Sequence, residues 1–87
     1  MYYIIKIRCI DSEGEECDRY IGEKFWTTDN LEEAEKFGRY TNFSLQDFCI
    51  YINKNRELIN HYLKFSGCKA KQFVLIRISF TELAAIR

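Results

Sequence analysis

This 87-residue chain has no proline and only four glycines, which speaks against a loop-rich binding scaffold or a flexible linker. No apolar run approaches the roughly 20 residues that a membrane-spanning helix needs. The amino-terminal stretch MYYIIKIRCI has neither a basic start nor a small-residue cleavage site. The expected setting is therefore soluble and cytoplasmic, with no membrane contact. There is no glycine-rich loop to cradle a phosphate, no second histidine beside His61, and no Ser, His and Asp combination in a recognisable local context. With none of the groupings that catalysis requires, the expectation is a non-enzymatic protein without a cofactor. Cys9, Cys17, Cys49 and Cys68 are scattered, and no pair has zinc-knuckle spacing. A zinc site from Cys9, Cys17, His61 and Cys68 would have to be assembled entirely by tertiary folding. The expectation is no metal, and reduced thiols acting as small buried hydrophobes.

What the chain does have is apolar surface. Hydrophobic residues make up 47% and aromatics 16%, which excludes disorder and supplies one modest core. That length is a single domain, residues 1–87. The zero net charge hides an asymmetry: residues 1–37 carry five Lys or Arg against ten Asp or Glu, and residues 38–87 carry eight against three. A two-sided field of this kind orients a protein partner, while zero net charge fits neither a nucleic-acid mimic nor a strong general DNA binder.

Residues 2–10 alternate Tyr3, Ile5, Ile7 and Cys9 against Tyr2, Ile4, Lys6, Arg8 and Ile10, the period of a strand. A turn around Gly14 returns the chain as an antiparallel partner over about 17–21. Gly22 then leads to the aromatic pair Phe25 and Trp26. Thr28, Asp29 and Glu32 make a capping pattern, Leu31, Ala34 and Phe37 follow at three-residue spacing, and Gly38 closes it. This predicts a helix over 30–37, clamped to the sheet by a largely buried Trp26. Ser44 and Asp47 mark a second helix start. Leu45, Phe48, Cys49, Ile52, Ile59 and Leu63 then hold one face of a helix over 45–65, with Asn53 to Arg56 as a place for it to bend or divide. Ser66 and Gly67 end it, and residues 71–80 carry the strongest strand pattern, apolar on both faces at Phe73 and Leu75 as suits a central strand.

The fold expected is α+β: a small antiparallel three-stranded sheet of residues 2–10, about 17–21 and 71–80, with two helices packed on one face. The tail TELAAIR adds a third helical piece or an extension. The long helical return brings the last strand beside residues 2–10, which are central.

Two surfaces are candidates for a partner. Five carboxylates crowd the hairpin tip, Asp11, Glu13, Glu15, Glu16 and Asp18. A calcium loop beginning at Asp11 is excluded, because Gly14 is its fourth residue and its twelfth is Gly22 where a glutamate is needed. The tip is either a solvated turn or a charged docking knob. The second is an apolar row, Tyr51, Leu58, Tyr62 and Phe65, along the flank of the long helix. It widens the nonpolar sector beyond what a small sheet and one short helix cover, so a protein partner or a second copy of the chain competes with intramolecular packing. Lys54, Arg56, Lys64, Lys69 and Lys71, with Tyr51, Tyr62 and Phe65 for stacking, give the alternative of a small regulator that binds nucleic acid directly. These cations read as isolated in sequence, which argues against it.

YIGEKFWTTDNLEEAEKF, preceded by the hairpin MYYIIKIRCIDSEGE, resembles small proteins encoded by phages and mobile elements. Those proteins place a strand hairpin before a helix with Trp-Thr, an acidic residue, then Ala and Phe at helical spacing; here Trp26, Thr27, Asp29, Ala34 and Phe37 match, and the likeness covers residues 1 to about 37. It implies a setting inside a host bacterial cell, where such proteins block defence by binding effector complexes, as anti-CRISPR proteins do. Many of those inhibitors are strongly acidic and imitate DNA, which this neutral chain does not. The functional expectation is a non-enzymatic protein-binding inhibitor of a nucleic-acid-targeting defence complex, with Tyr62 its leading anchor.

Overall fold

A computed structural model describes residues 2–39 and 42–78. Strand β1 (Tyr2–Ile10) pairs antiparallel with β2 (Glu16–Ile21) on one side. On its other side it pairs antiparallel with a strand (Lys69–Ile78) that follows the helix. A two-residue strand, β3 (Thr27–Thr28), adds to the far side of β2, so the late strand is β4 and the sheet order is β3-β2-β1-β4. One helix, α1 (Leu45–Phe65), crosses the sheet. The central place of β1 and its pairing with the last strand agree with the sequence reading. The count does not: there are four strands and one α-helix among the described residues, against the expected three strands and two or three helices. β4 is an edge strand, not a central one. The tail TELAAIR and the last two residues of the expected 71–80 strand lie outside the described residues.

The missing helix is 30–37, and the cause is a backbone demand made by β1. The β2 ladder reaches only from Lys6 to Ile10, so Tyr3 still needs partners for its N–H and C=O. Phe37 supplies both, with Tyr3 N–H to Phe37 O and Phe37 N–H to Tyr3 O each at 2.8 Å. Gly22 bridges Ala34, and Glu35 N–H donates to Ile21 O at 2.9 Å. An eight-residue helix is weak alone, and these bonds hold the segment extended instead. What survives of the capping pattern is one 3-10 turn, Leu31–Glu33, capped by Asn30, whose side chain accepts from Glu32 N–H at 3.0 Å. A Cβ at Gly22 would be crowded, 3.1 Å from Trp26 O and 3.5 Å from Glu33 O.

The sheet is covered on both faces, not on one. Ile5, Ile7 and Cys9 point to α1 and meet Ile52, Ile59 and Leu63, all buried. The alternate residues Tyr2 and Ile4 point away and form a second buried group with Ala34 and Ile78, joined by Leu31. The short segment that the sequence pattern assigns to a helix therefore closes the opposite face.

Helix α1 runs unbroken for 21 residues, through Asn53 to Arg56. Asn55 Nδ2 donates to Tyr51 O at 2.9 Å, and the Arg56 guanidinium lies over the Phe73 ring, 5.6 Å from its centre, so neither side chain interrupts the turn. Its start is a reciprocal capping box: Asp47 N–H donates to Ser44 Oγ at 3.2 Å, and Ser44 N–H donates to Asp47 Oδ2 at 2.8 Å. The hydrogen bond from the Ser44 backbone, then that from its hydroxyl, lowers the Asp47 carboxyl below its ordinary 3.8. A lowered folded-state value stabilises above the unfolded one. That contribution is present above 3.8 and is lost as pH falls through the lowered value. Ser44→Ala should cost about 1 kcal/mol by denaturant unfolding and flatten the acid limb of the stability curve below pH 4, roughly where this box titrates. At the other end Gly67, at φ +71°, carries a Schellman closure, with Gly67 N–H to Lys64 O at 3.0 Å and Cys68 N–H to Leu63 O at 3.1 Å.

Candidate functional site

The helix flank is built by what faces it from the segment between β2 and α1. Tyr51 sits edge-on to Phe37, ring centres 5.0 Å apart, and burial, with Glu35 nearby, pushes its phenol up to about 12. Tyr62 stacks on Trp26 at 4.8 Å and 28°. These two members of the apolar row are thus half-buried against the protein's own aromatics. Leu58 and Phe65 remain at the surface, 39% and 74% exposed, and the Phe65 ring meets His61 edge-on at 5.1 Å.

Trp26 itself is 59% exposed, which corrects the expectation of a buried clamp. The positions of α1 that face the sheet are already filled by Ile52, Ile59 and Leu63. Trp26 follows the 3-10 turn Glu23–Phe25 in extended geometry and lays its ring over Tyr62 from outside. The result is one exposed apolar patch: Trp26, Leu58 and Phe65 around the half-buried Tyr62, with His61 at its border. Trp26 is the member that the sequence reading left out. Its pairing with Tyr62 depends on where β3 lies, and no local pattern carries that information.

At the acidic tip the five carboxylates have separate duties. Asp11 Oδ1 accepts the N–H groups of Glu13 and Glu15, each at 2.9 Å, and so builds the turn. Glu16 pairs with Lys71 at 2.6 Å, whose hydrogen bond lowers its carboxyl below the usual range, and Asp18 approaches Lys6 at 3.8 Å. Glu13 and Glu15 are left at the exposed apex. Of the surface expected to attract a partner, these two are the outward charges.

Three cysteines come together although they are far apart in the chain. Cys9 pairs with Cys17 in the β1–β2 register, and Cys17 Sγ lies 3.8 Å from Cys68 Sγ, a contact across 51 positions. Burial, then Cys17 and Cys68, pushes the Cys9 thiol up to about 12, and it donates to Ile7 O at 3.4 Å. Burial also raises Cys17, followed by its contact with Cys68. Among the described residues no group of three or more His, Cys, Asp or Glu is arranged to hold a metal ion. His61 contacts Tyr62 and Phe65 instead of this corner.

The isolated cations of the sequence also converge. Arg56, Lys64, Lys69 and Lys71 line a groove of about 640 Å³ between the second half of α1 and the start of β4, while Lys54 does not. None of the three aromatics named for stacking lines this groove: Tyr62 is turned to Trp26, Tyr51 to Phe37, and Phe65 is exposed beside His61. No helix among the described residues is long and apolar enough to cross a membrane. Comparison with protein-family models, with curated proteins and with solved structures finds no match.

Proposed function

We propose that this chain is a non-enzymatic protein-binding inhibitor that acts by covering part of a bacterial nucleic-acid-targeting defence complex, in the manner of anti-CRISPR proteins. The observation that carries the binding reading is the exposed patch of Trp26, Leu58 and Phe65 around Tyr62. Anchors in protein interfaces are large aromatic groups held in one orientation, and Leu58, Tyr62 and Phe65 stand on a 21-residue helix whose other side is fixed in the core, with Trp26 stacked on Tyr62. The exposed charges Glu13 and Glu15 suit the lesser task of speeding encounter. The class of partner comes from the resemblance of residues 1–37 to phage and mobile-element proteins. The likeness is to a hairpin followed by a helix that carries Trp26, Thr27, Asp29, Ala34 and Phe37; the segment is extended here apart from one 3-10 turn, so the residue identities alone support it.

Phe65 is a better probe than Tyr62, because it is 74% exposed and its loss leaves the fold alone, whereas Tyr62 also supports Trp26. The test is target cleavage by a panel of purified CRISPR effector complexes. Inhibition should saturate near one protein per complex. Phe65→Asp should weaken it about 30-fold, the scale of one interface anchor. Glu13→Gln with Glu15→Gln should change it by no more than about threefold. Equal potency of Phe65→Asp would move the contact off this patch. Inhibition far below one protein per complex would indicate turnover and an enzyme. Failure to inhibit any complex, together with salt-dependent binding of the protein alone to an oligonucleotide, would favour the nucleic-acid alternative.

A further inference from the structure

The groove between α1 and β4 has a composition and an edge that the aromatic patch does not explain. Arg56 and Lys64 come from the helix, Lys69 and Lys71 from the strand, and no carboxylate lines it. Lys71 is held from outside by Glu16, and the other three cations enter no ion pair among the described residues. Its lining includes Gln72 and Phe73, with the Arg56 guanidinium already over the Phe73 ring. One side of it is residues 69–73, the first half of an edge strand. β4 gives the hydrogen bonds of one side to β1, from Tyr2 against Ile78 to Ile10 against Lys69, and pairs with no other strand among the described residues.

From this we infer that the groove binds an extended acidic peptide segment, which adds to β4 as a fifth strand while its carboxylates meet Arg56, Lys64 and Lys69. Main-chain bonds to an open edge supply affinity in such additions, and side chains at alternate positions supply choice. Lysines on an edge strand also deter edge-to-edge pairing between like sheets. The same charges that repel a basic or neutral strand admit an acidic one. Charge complementarity alone would equally suit a single-stranded nucleic acid, but such a strand gains much of its affinity by stacking bases on rings. The ring in this groove is lidded by Arg56, and none of Tyr51, Tyr62 and Phe65 lines it. The edge backbone, which a peptide uses and a phosphodiester chain does not, decides for the peptide. This inference rests on the protein-binding reading above and adds a second contact of defined chemistry to it.

The test uses fluorescence anisotropy with a labelled short peptide of alternating Glu and Val, titrated with the full-length protein. Binding is expected at low salt. Lys64→Glu with Lys69→Glu, both exposed positions, should weaken it at least about tenfold while leaving the melting curve in place. A peptide of the same charge, N-methylated on alternate amides, should bind at least about tenfold more weakly, because it cannot complete the ladder. Equal binding of the methylated peptide would overturn the strand addition. No binding of the unmodified peptide, or tighter binding of a single-stranded oligonucleotide of equal charge, would overturn the proposal. Peptide binding that survives a failure to inhibit any defence complex would sink the proposed function and leave the groove intact.

Discussion

Ile59→Ala is expected to destabilise the protein by about 3 to 4 kcal/mol, the range for removing a fully buried branched side chain from a core that cannot collapse around the loss. Ile59 is 0% exposed and packs among Ile52, Leu63 and the helix-facing side chains of β1, where α1 meets the centre of the sheet. In a domain of this size that is a large share of the total stability. Trp26→Ala, at the largest apolar residue in the chain, should cost only about 1 kcal/mol, because its ring keeps most of its contact with water and what is lost is mainly the stack on Tyr62. Urea unfolding of both variants gives the comparison. A Trp26→Ala cost equal to that of Ile59→Ala would return Trp26 to the core and contradict the exposed patch.

Oxidation should produce the second large effect. When Cys17 and Cys68 exchange with a low-molecular-weight disulfide, their two thiols give up two protons and two electrons. One reagent disulfide becomes two thiols, and a bond forms between β2 and the junction of α1 with β4. Their sulfurs already lie 3.8 Å apart. Closing a loop of 51 residues restricts the unfolded chain by about 4 kcal/mol in the chain-entropy account. The oxidised protein should therefore melt well above the reduced one, and Cys68→Ser should abolish the difference. The attacking species is the thiolate, and the Cys17 thiol is raised above its ordinary 9.0 by burial and by Cys68. The rate of bridging should thus go on rising as pH passes 9.0, where an ordinary thiol begins to level off. A bridge that maps by peptide mass to Cys9 or Cys49 would contradict this pairing.

The parts of the fold that could be read in the sequence are those written in long periods or in local caps. α1 spans the residues read from its apolar stripe, because local caps, Ser44 with Asp47 and the closure at Gly67, bound a stripe long enough to hold a helix. β1 is recognisable because nine residues alternate. The 30–37 segment misleads for the complementary reason. Its capping and spacing are those of a helix, but Tyr3 needs a backbone partner, and a strand 34 positions away outweighs a weak local preference. Of the site, Leu58 and Phe65 could be read from their helix spacing and are exposed. Trp26 beside Tyr62, the Cys17 and Cys68 contact and the four-cation groove could not. Each joins residues far apart in the chain, whose proximity depends on how α1 packs against the sheet and its connections and not on any local pattern.

The central claim is that the patch around Trp26 is the surface a partner covers, and Trp26 is the only tryptophan in the chain. Replacing it with fluorotryptophan gives one fluorine NMR signal at that surface. In the free protein the signal should respond to a soluble paramagnetic quencher, as a ring 59% exposed must. When a defence complex that the protein inhibits is added to saturation, the signal should shift or broaden and lose that response, and Phe65→Asp should restore the free signal at the same concentrations. A Trp26 signal that stays unshifted and equally accessible while inhibition is complete would show that the partner binds elsewhere on the molecule.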